Sequence, residues 1–128
     1  MKALPIAALI AALLLAATQA TAATDAETLR AGREAAKICE TCHHFTRPVE
    51  KFGPPLLGIV GRPVASIPRF PYTPVLKGVG GEWTEERIAE FVNDPKAFAP
   101  GTSMNFDGYK DMATARAVAA YIARRTSR

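Results

Sequence analysis

Histidine and cysteine are both scarce in this chain of 128 residues, with two of each. Two cysteines are too few for a disulfide-dense scaffold or a four-cysteine zinc site. The histidines, His43 and His44, are neighbours, so no distant histidine completes a tetrahedral site with the thiols. Charge of one sign is also thin. The formal net charge is +4, and the basic residues are scattered, with no cluster longer than Arg124-Arg125. That pattern excludes a nucleic-acid partner, which needs a concentrated basic surface. It leaves room for docking on an acidic protein patch. No carboxylate pair or nucleophile constellation points to hydrolytic chemistry, so no enzyme activity is expected. With 48% of residues hydrophobic and 22% charged, the chain is too apolar to be disordered. Its length allows one domain.

The apolar residues are unevenly spread. Residues 3–17 carry no polar side chain. That run is short for a membrane span, which needs about 20 apolar residues. Lys2 precedes it, and Ala20-Thr21-Ala22 follows with the small-x-small form of a signal-peptidase site. Residues 1–22 therefore read as a cleaved signal peptide, with cleavage after Ala22 and the neighbouring positions 20 and 23 as alternatives. Residues 23–128 are then a single domain. Loss of Lys2 lowers the net charge by one. The exported chain is expected in the periplasm, with no stable membrane insertion after cleavage.

Helix signals flank an irregular middle. Thr24-Asp25-Ala26-Glu27 is a capping box and predicts a helix from Asp25 to about Ile38. A second helix is expected from Thr84, with Glu85 and Glu86 in its first turn and Ile88, Phe91 and Val92 as its apolar stripe. Asp94-Pro95 opens a short helix that stops before Pro100-Gly101. The last helix is expected from about Tyr109 to Arg124, with Met112, Ala115, Val118, Ala119 and Ile122 on one face. Between these, Pro48, Pro54, Pro55, Pro63, Pro68, Pro71 and Pro74 exclude a long helix or a central strand over residues 48–74. A structureless stretch of that length needs another organiser. A large bound cofactor would give it an apolar surface to wrap.

The cysteines lie in Cys39-Glu40-Thr41-Cys42-His43. Two thiols three residues apart can form thioethers to the two vinyl groups on one edge of a haem, and the adjacent histidine is then held beneath the iron. This C-x-x-C-H pattern is a haem c attachment signature. A thioredoxin-like pair would want a strand–helix context, which is missing. A zinc site lacks its remaining ligands, and a plain disulfide leaves the proline-rich loop unexplained. His44 is adjacent to His43, cannot reach the opposite haem face, and reads as a surface residue. Among the methionines, Met112 falls on an apolar helix face and reads as core. Met104, in Pro100-Gly101-Thr102-Ser103-Met104, lies in an irregular turn able to aim a side chain inward. A thioether opposite histidine raises the reduction potential and fills the coordination sphere.

Over roughly Leu29 to Arg124 the chain resembles the small soluble class I cytochromes c, the group that includes the mitochondrial carrier and its bacterial relatives. Gly53-Pro54-Pro55-Leu56 and Gly58-Ile59-Val60-Gly61-Arg62 are similar to the family's loop after the haem histidine. Phe70-Pro71-Tyr72-Thr73 and Trp83 are similar to its propionate-side loop. Asn93-Asp94-Pro95-Lys96 and Pro100 to Met104 are similar to its methionine loop. The resemblance implies an all-α fold of three main helices, short helices and long proline-rich loops around one haem c, attached through Cys39 and Cys42. It implies His43 and Met104 as the metal ligands and the Pro54 carbonyl as acceptor of the His43 Nδ1 hydrogen. Arg62, Tyr72 and Trp83 would bind the inner propionate, and Phe106 would shield the haem edge.

Several positions depart from the carrier pattern. Phe91 and Leu76 replace a tyrosine and an asparagine beside the methionine. Ala35 and Ala36 stand where the first helix usually has an aromatic, so packing against Tyr121 is expected to differ. Lys51, Lys96 and Lys110 remain of the lysine ring at the exposed haem edge, but Ile38, Ala97 and Ser103 replace others. The function implied is that of a monomeric periplasmic one-electron carrier docking with redox proteins at that edge. The alternative is a dedicated cytochrome subunit of a periplasmic dehydrogenase or oxidase complex.

Overall fold

In the computed structural model, residues 6–128 are described, with the side chains of 15–23 left aside. Lys2 of the expected signal peptide lies outside the described residues. The elements are helix α1 (Ile6–Ala36), a 3-10 turn (Cys39–Thr41), α2 (Pro74–Val79), α3 (Glu85–Asn93), α4 (Pro95–Phe98) and α5 (Met112–Arg125). Among the described residues there is no β-strand, only an isolated antiparallel bridge between Pro63 and Glu82. The fold is all-α, with α5 packed against both α1 and α3.

The helix starts follow local chemistry. The Thr84 side chain accepts from the Arg87 N–H at 3.1 Å and opens α3. Asp94 caps α4 by accepting from the Ala97 N–H at 3.0 Å, with Pro95 at the first position, where its missing N–H costs nothing. The last helix begins at Met112, later than expected from its apolar stripe. Asp111 accepts from the N–H groups of Ala113 and Thr114, and this cap overrides the helical spacing upstream. The first helix departs further from expectation. It runs through Thr24 without a break, because the alanine- and leucine-rich residues before it have high helix propensity of their own. A cap signal inside a good helix former does not start a helix.

The core lies where α5 crosses its two partners. Ala115, Val118, Ala119 and Ile122 of α5 are buried with Ile88, Ala89 and Val92 of α3 and Ala36 of α1. Each isoleucine so buried contributes about 1.5–3 kcal/mol. Gly32 permits the close crossing of α1 and α5, since a Cβ there would stand 2.0 Å from the Ala117 carbonyl oxygen. The proline-rich middle is held by scattered long-range hydrogen bonds instead of regular structure. Gly53 N–H donates to Cys42 O, Leu56 N–H to His44 O, Gly58 N–H to Thr126 O and Gly61 N–H to Trp83 O, all within 2.8 Å. Arg87 clamps the next turn by donating to the carbonyls of Gly80 and Glu82, both at 2.9 Å. These ties fix the middle as one wall of a cavity. The helices form the other.

Candidate cofactor-binding site

After α1 ends at Ala36, the chain makes one tight turn. Cys42 N–H and His43 N–H both donate to Cys39 O, at 3.1 and 2.9 Å. That turn puts Cys39, Cys42 and His43 on the wall of a cavity of about 570 Å³. The same wall carries Pro54, Arg62, Tyr72, Trp83 and Met104, so all eight residues singled out from the sequence meet in one place. Leu76, Phe91 and Phe106 line it too. His44 sits apart, with the Arg47 guanidinium 3.1 Å from its ring.

His43 is oriented from two sides. Its Nδ1 lies 2.7 Å from the Pro54 carbonyl, which can only accept, so Nδ1 carries the hydrogen. In the neutral ring Nε2 is then left with its lone pair. Gly53 lies directly against the imidazole, and a Cβ there would come within 2.3 Å of Cε1. Burial holds the His43 pKa below its usual value, outweighing the raising effect of the Pro54 bond. The ring is therefore neutral at neutral pH, the form able to ligate a metal. Burial pushes the Cys39 thiol up, against the lowering effect of Tyr109. Cys39 and Cys42 are both free thiols.

Met104 is presented by a turn closed on both sides. The Thr102 N–H donates to Ala99 O at 2.9 Å, and the Met104 N–H donates to the Thr102 hydroxyl at 3.2 Å. The partly buried Met112 packs against the helical core, as its position on the stripe implied. Trp83 stacks on Phe98 at 5.9 Å and lies 5.4 Å from Phe91. Phe91 is thus turned toward the cavity and this aromatic group, while Ile88, Ala89 and Val92 supply the buried side of α3.

No family model matches the chain. Among curated proteins, a cytochrome c2 from Blastochloris viridis is 40% identical over 109 residues, 84% of each chain. The chain belongs to the class I cytochrome c family. A cytochrome c-550 from Nitrobacter winogradskyi is 39% identical over 83 residues, covering 64% of this chain and 76% of its own length. A cytochrome c homolog from Rickettsia bellii is 42% identical over 78 residues, 60% of this chain but 45% of its own. The chain thus spans under half the length of the Rickettsia relative. Among the described residues, no helix is long and apolar enough to cross a membrane.

Family membership implies haem c, and the residues present fit it. The cavity wall is mostly apolar, as a porphyrin face requires. Some polar groups on this wall have hydrogen-bonding capacity to spare. The Trp83 indole N–H makes no hydrogen bond within the described residues, and its nitrogen is not sealed off from the cavity. The Tyr72 hydroxyl accepts from the Ile67 N–H at 3.3 Å and keeps its own hydrogen uncommitted. The Arg62 guanidinium donates to the carbonyls of Pro55 and Leu57 and, among the described residues, remains a half-buried cation without a carboxylate partner. A zinc site fits poorly: among the described residues, no group of three or more His, Cys, Asp or Glu could hold a metal ion.

The residue that sequence reasoning missed is Tyr109. The stripe assigned it to the start of the last helix, yet it lies outside α5 and contacts Cys39. No local sequence signal announces that contact, which spans 70 residues.

Proposed function

We propose that this chain is a one-electron carrier whose haem c is attached through Cys39 and Cys42 and ligated by His43 and Met104. The observation that carries the reading is that these four side chains share one cavity, with the His43 Nδ1 hydrogen committed to Pro54. Haem supplies the one-electron iron couple. The chain's residues hold the site in place and keep it dry. Pro54 and Gly53 fix the imidazole orientation, and the Thr102 turn aims the Met104 sulfur inward. Arg62, Tyr72 and Trp83 would take up a propionate, the charge that most needs donors in an apolar pocket. Phe91, Phe106 and Leu76 exclude water. With His43 and Met104 both holding the iron, a small molecule would have to displace one of them to reach it, which would favour transfer over substrate turnover.

Residues 1–22 act as a cleaved export signal, and the mature chain works in the periplasm, where thioether attachment takes place. The mass of the protein purified from periplasm tests this: it should equal residues 23–128 plus one haem. Met104→Ala tests the ligand set. The variant should lose the sulfur-to-iron charge-transfer band and bind added imidazole or CO readily. A variant that retains the band and a native six-coordinate spectrum would overturn the assignment.

One observation favours the second reading, a subunit held in a stable complex. The three lysines expected at the haem edge all hydrogen-bond within the chain. Lys51 donates to Glu40 O at 2.7 Å, Lys96 pairs with Asp107 at 2.7 Å, and Lys110 donates to Asp107 O at 2.8 Å. Beside the cysteines stand Phe52, 90% exposed, and Ile38, 53% exposed. An apolar mouth suits a longer-lived interface than a cationic ring does. Gel filtration of the native protein separates the two readings, since a complex elutes far above the monomer.

A further inference from the structure

Tyr109 is held at more points than any requirement of helix packing explains. Its backbone is fixed to the end of α3: the N–H donates to Val92 O at 2.9 Å, and the carbonyl accepts from Asn93 Nδ2 at 2.7 Å. The preceding Gly108 allows this close approach, with φ of 91° and room for no Cβ, which would meet Asn93 O at 2.2 Å. The ring packs edge-on against Phe106 at 4.9 Å, two residues beyond Met104. Its hydroxyl donates to Ala35 O at 2.7 Å, one of the last carbonyls of α1, which has no acceptor role left inside the helix. The same oxygen lies 3.8 Å from the Cys39 sulfur. One side chain thereby joins the segment that follows Met104 to the helix that precedes the cysteines.

We propose that Tyr109 is a positioning residue that latches the Met104 loop shut through its hydrogen bond to Ala35. The proposal rests on Met104 being an iron ligand. Around Met104 the other ties are local: Thr102, two residues back, and Phe106, whose N–H donates to Met104 O at 3.0 Å. Local ties shape the turn but do not fasten it across the cavity. The Lys96–Asp107 pair is solvent-exposed, with side chains 67% and 83% exposed, and such pairs hold little. The Tyr109 hydroxyl is half-buried and satisfies a helix-end carbonyl, so its loss leaves an acceptor unpaired as well as a bond unmade.

The test uses the haem-loaded ferric protein and the rate at which added imidazole displaces the Met104 sulfur, followed by loss of the charge-transfer band. Tyr109→Phe keeps the ring and removes the latch. It should keep the band and speed displacement by about three- to tenfold, the scale of one lost net hydrogen bond. Thr126→Val serves as the comparison. The Thr126 hydroxyl donates to Ile122 O at 2.8 Å, buried at the far end of α5, so its loss should lower the denaturation midpoint without speeding displacement. An unchanged displacement rate in Tyr109→Phe would overturn the latch. Equal acceleration in Thr126→Val would also overturn it, because loop opening would then follow global stability alone. Absence of the band in the unsubstituted protein would overturn the Met104 assignment and the latch together.

Discussion

Gly53 sets the position of the His43 ring. Any side chain at that position must displace the imidazole, because the nearest ring atom stands 2.3 Å from where a Cβ would go. Gly53→Ala should therefore destabilise the protein by about 1–3 kcal/mol, the usual cost of overfilling a packed site. Chemical denaturation measures that loss, and a shifted visible spectrum would report the moved ring. At this scale the site was largely legible in the sequence. The C-x-x-C-H spacing and the flanking loops named eight residues, and all eight line the cavity. Gly53 stands within a loop motif, but its contact with His43 cannot be read from the sequence, since it depends on the loop returning over the ring. Tyr109 escaped for a similar reason. Its hydroxyl partner lies 74 residues away, and nothing in its neighbours marks it.

Helix ends were legible wherever a side-chain cap was unambiguous. Thr84 and Asp94 opened their helices as expected, while Asp111 displaced the expected start of α5 from Tyr109 to Met112. Apolar spacing continues past a helix end when an adjacent loop residue packs on the same core, and Tyr109 does so. The short helix α2 went unforeseen because it lies at the edge of the proline-rich stretch, starting on Pro74 itself with Thr73 as its cap. Asp111 also carries a pH dependence. The Thr114 hydroxyl and the two capped N–H groups hold its carboxyl below the ordinary value of 3.8. A depressed folded-state pKa gives stability that is full above the unfolded value and lost as pH falls through the folded one. Thermal denaturation between about pH 5 and pH 2 should show a shallower acid loss in Asp111→Asn, which retains a capping side chain but no charge. Asp111→Ala should lower the melting temperature at neutral pH as well.

Across the whole molecule, the cations at the expected docking edge are few, and Lys96 among them is paired with the Asp107 carboxylate. Lys51, Lys96 and Lys110 each have an acceptor within the chain, and the mouth of the cavity presents Phe52 and Ile38. The rate of electron exchange with a partner should then fall only weakly as ionic strength rises, since long-range steering needs more cations than this thinned set supplies. A plot of the bimolecular rate against ionic strength measures this, and a steep slope would count against the apolar mouth as the docking point. The cavity itself has a consequence for stability. Its mostly apolar wall, around a volume of about 570 Å³, is surface that the chain alone leaves to water, and burying it would add to the stability of the fold. The loop from Pro48 to Thr73 has little regular structure of its own. Under the reading proposed above, a group that fills this cavity would therefore contribute much of the stability of the fold, so the loaded protein should denature well above the empty one.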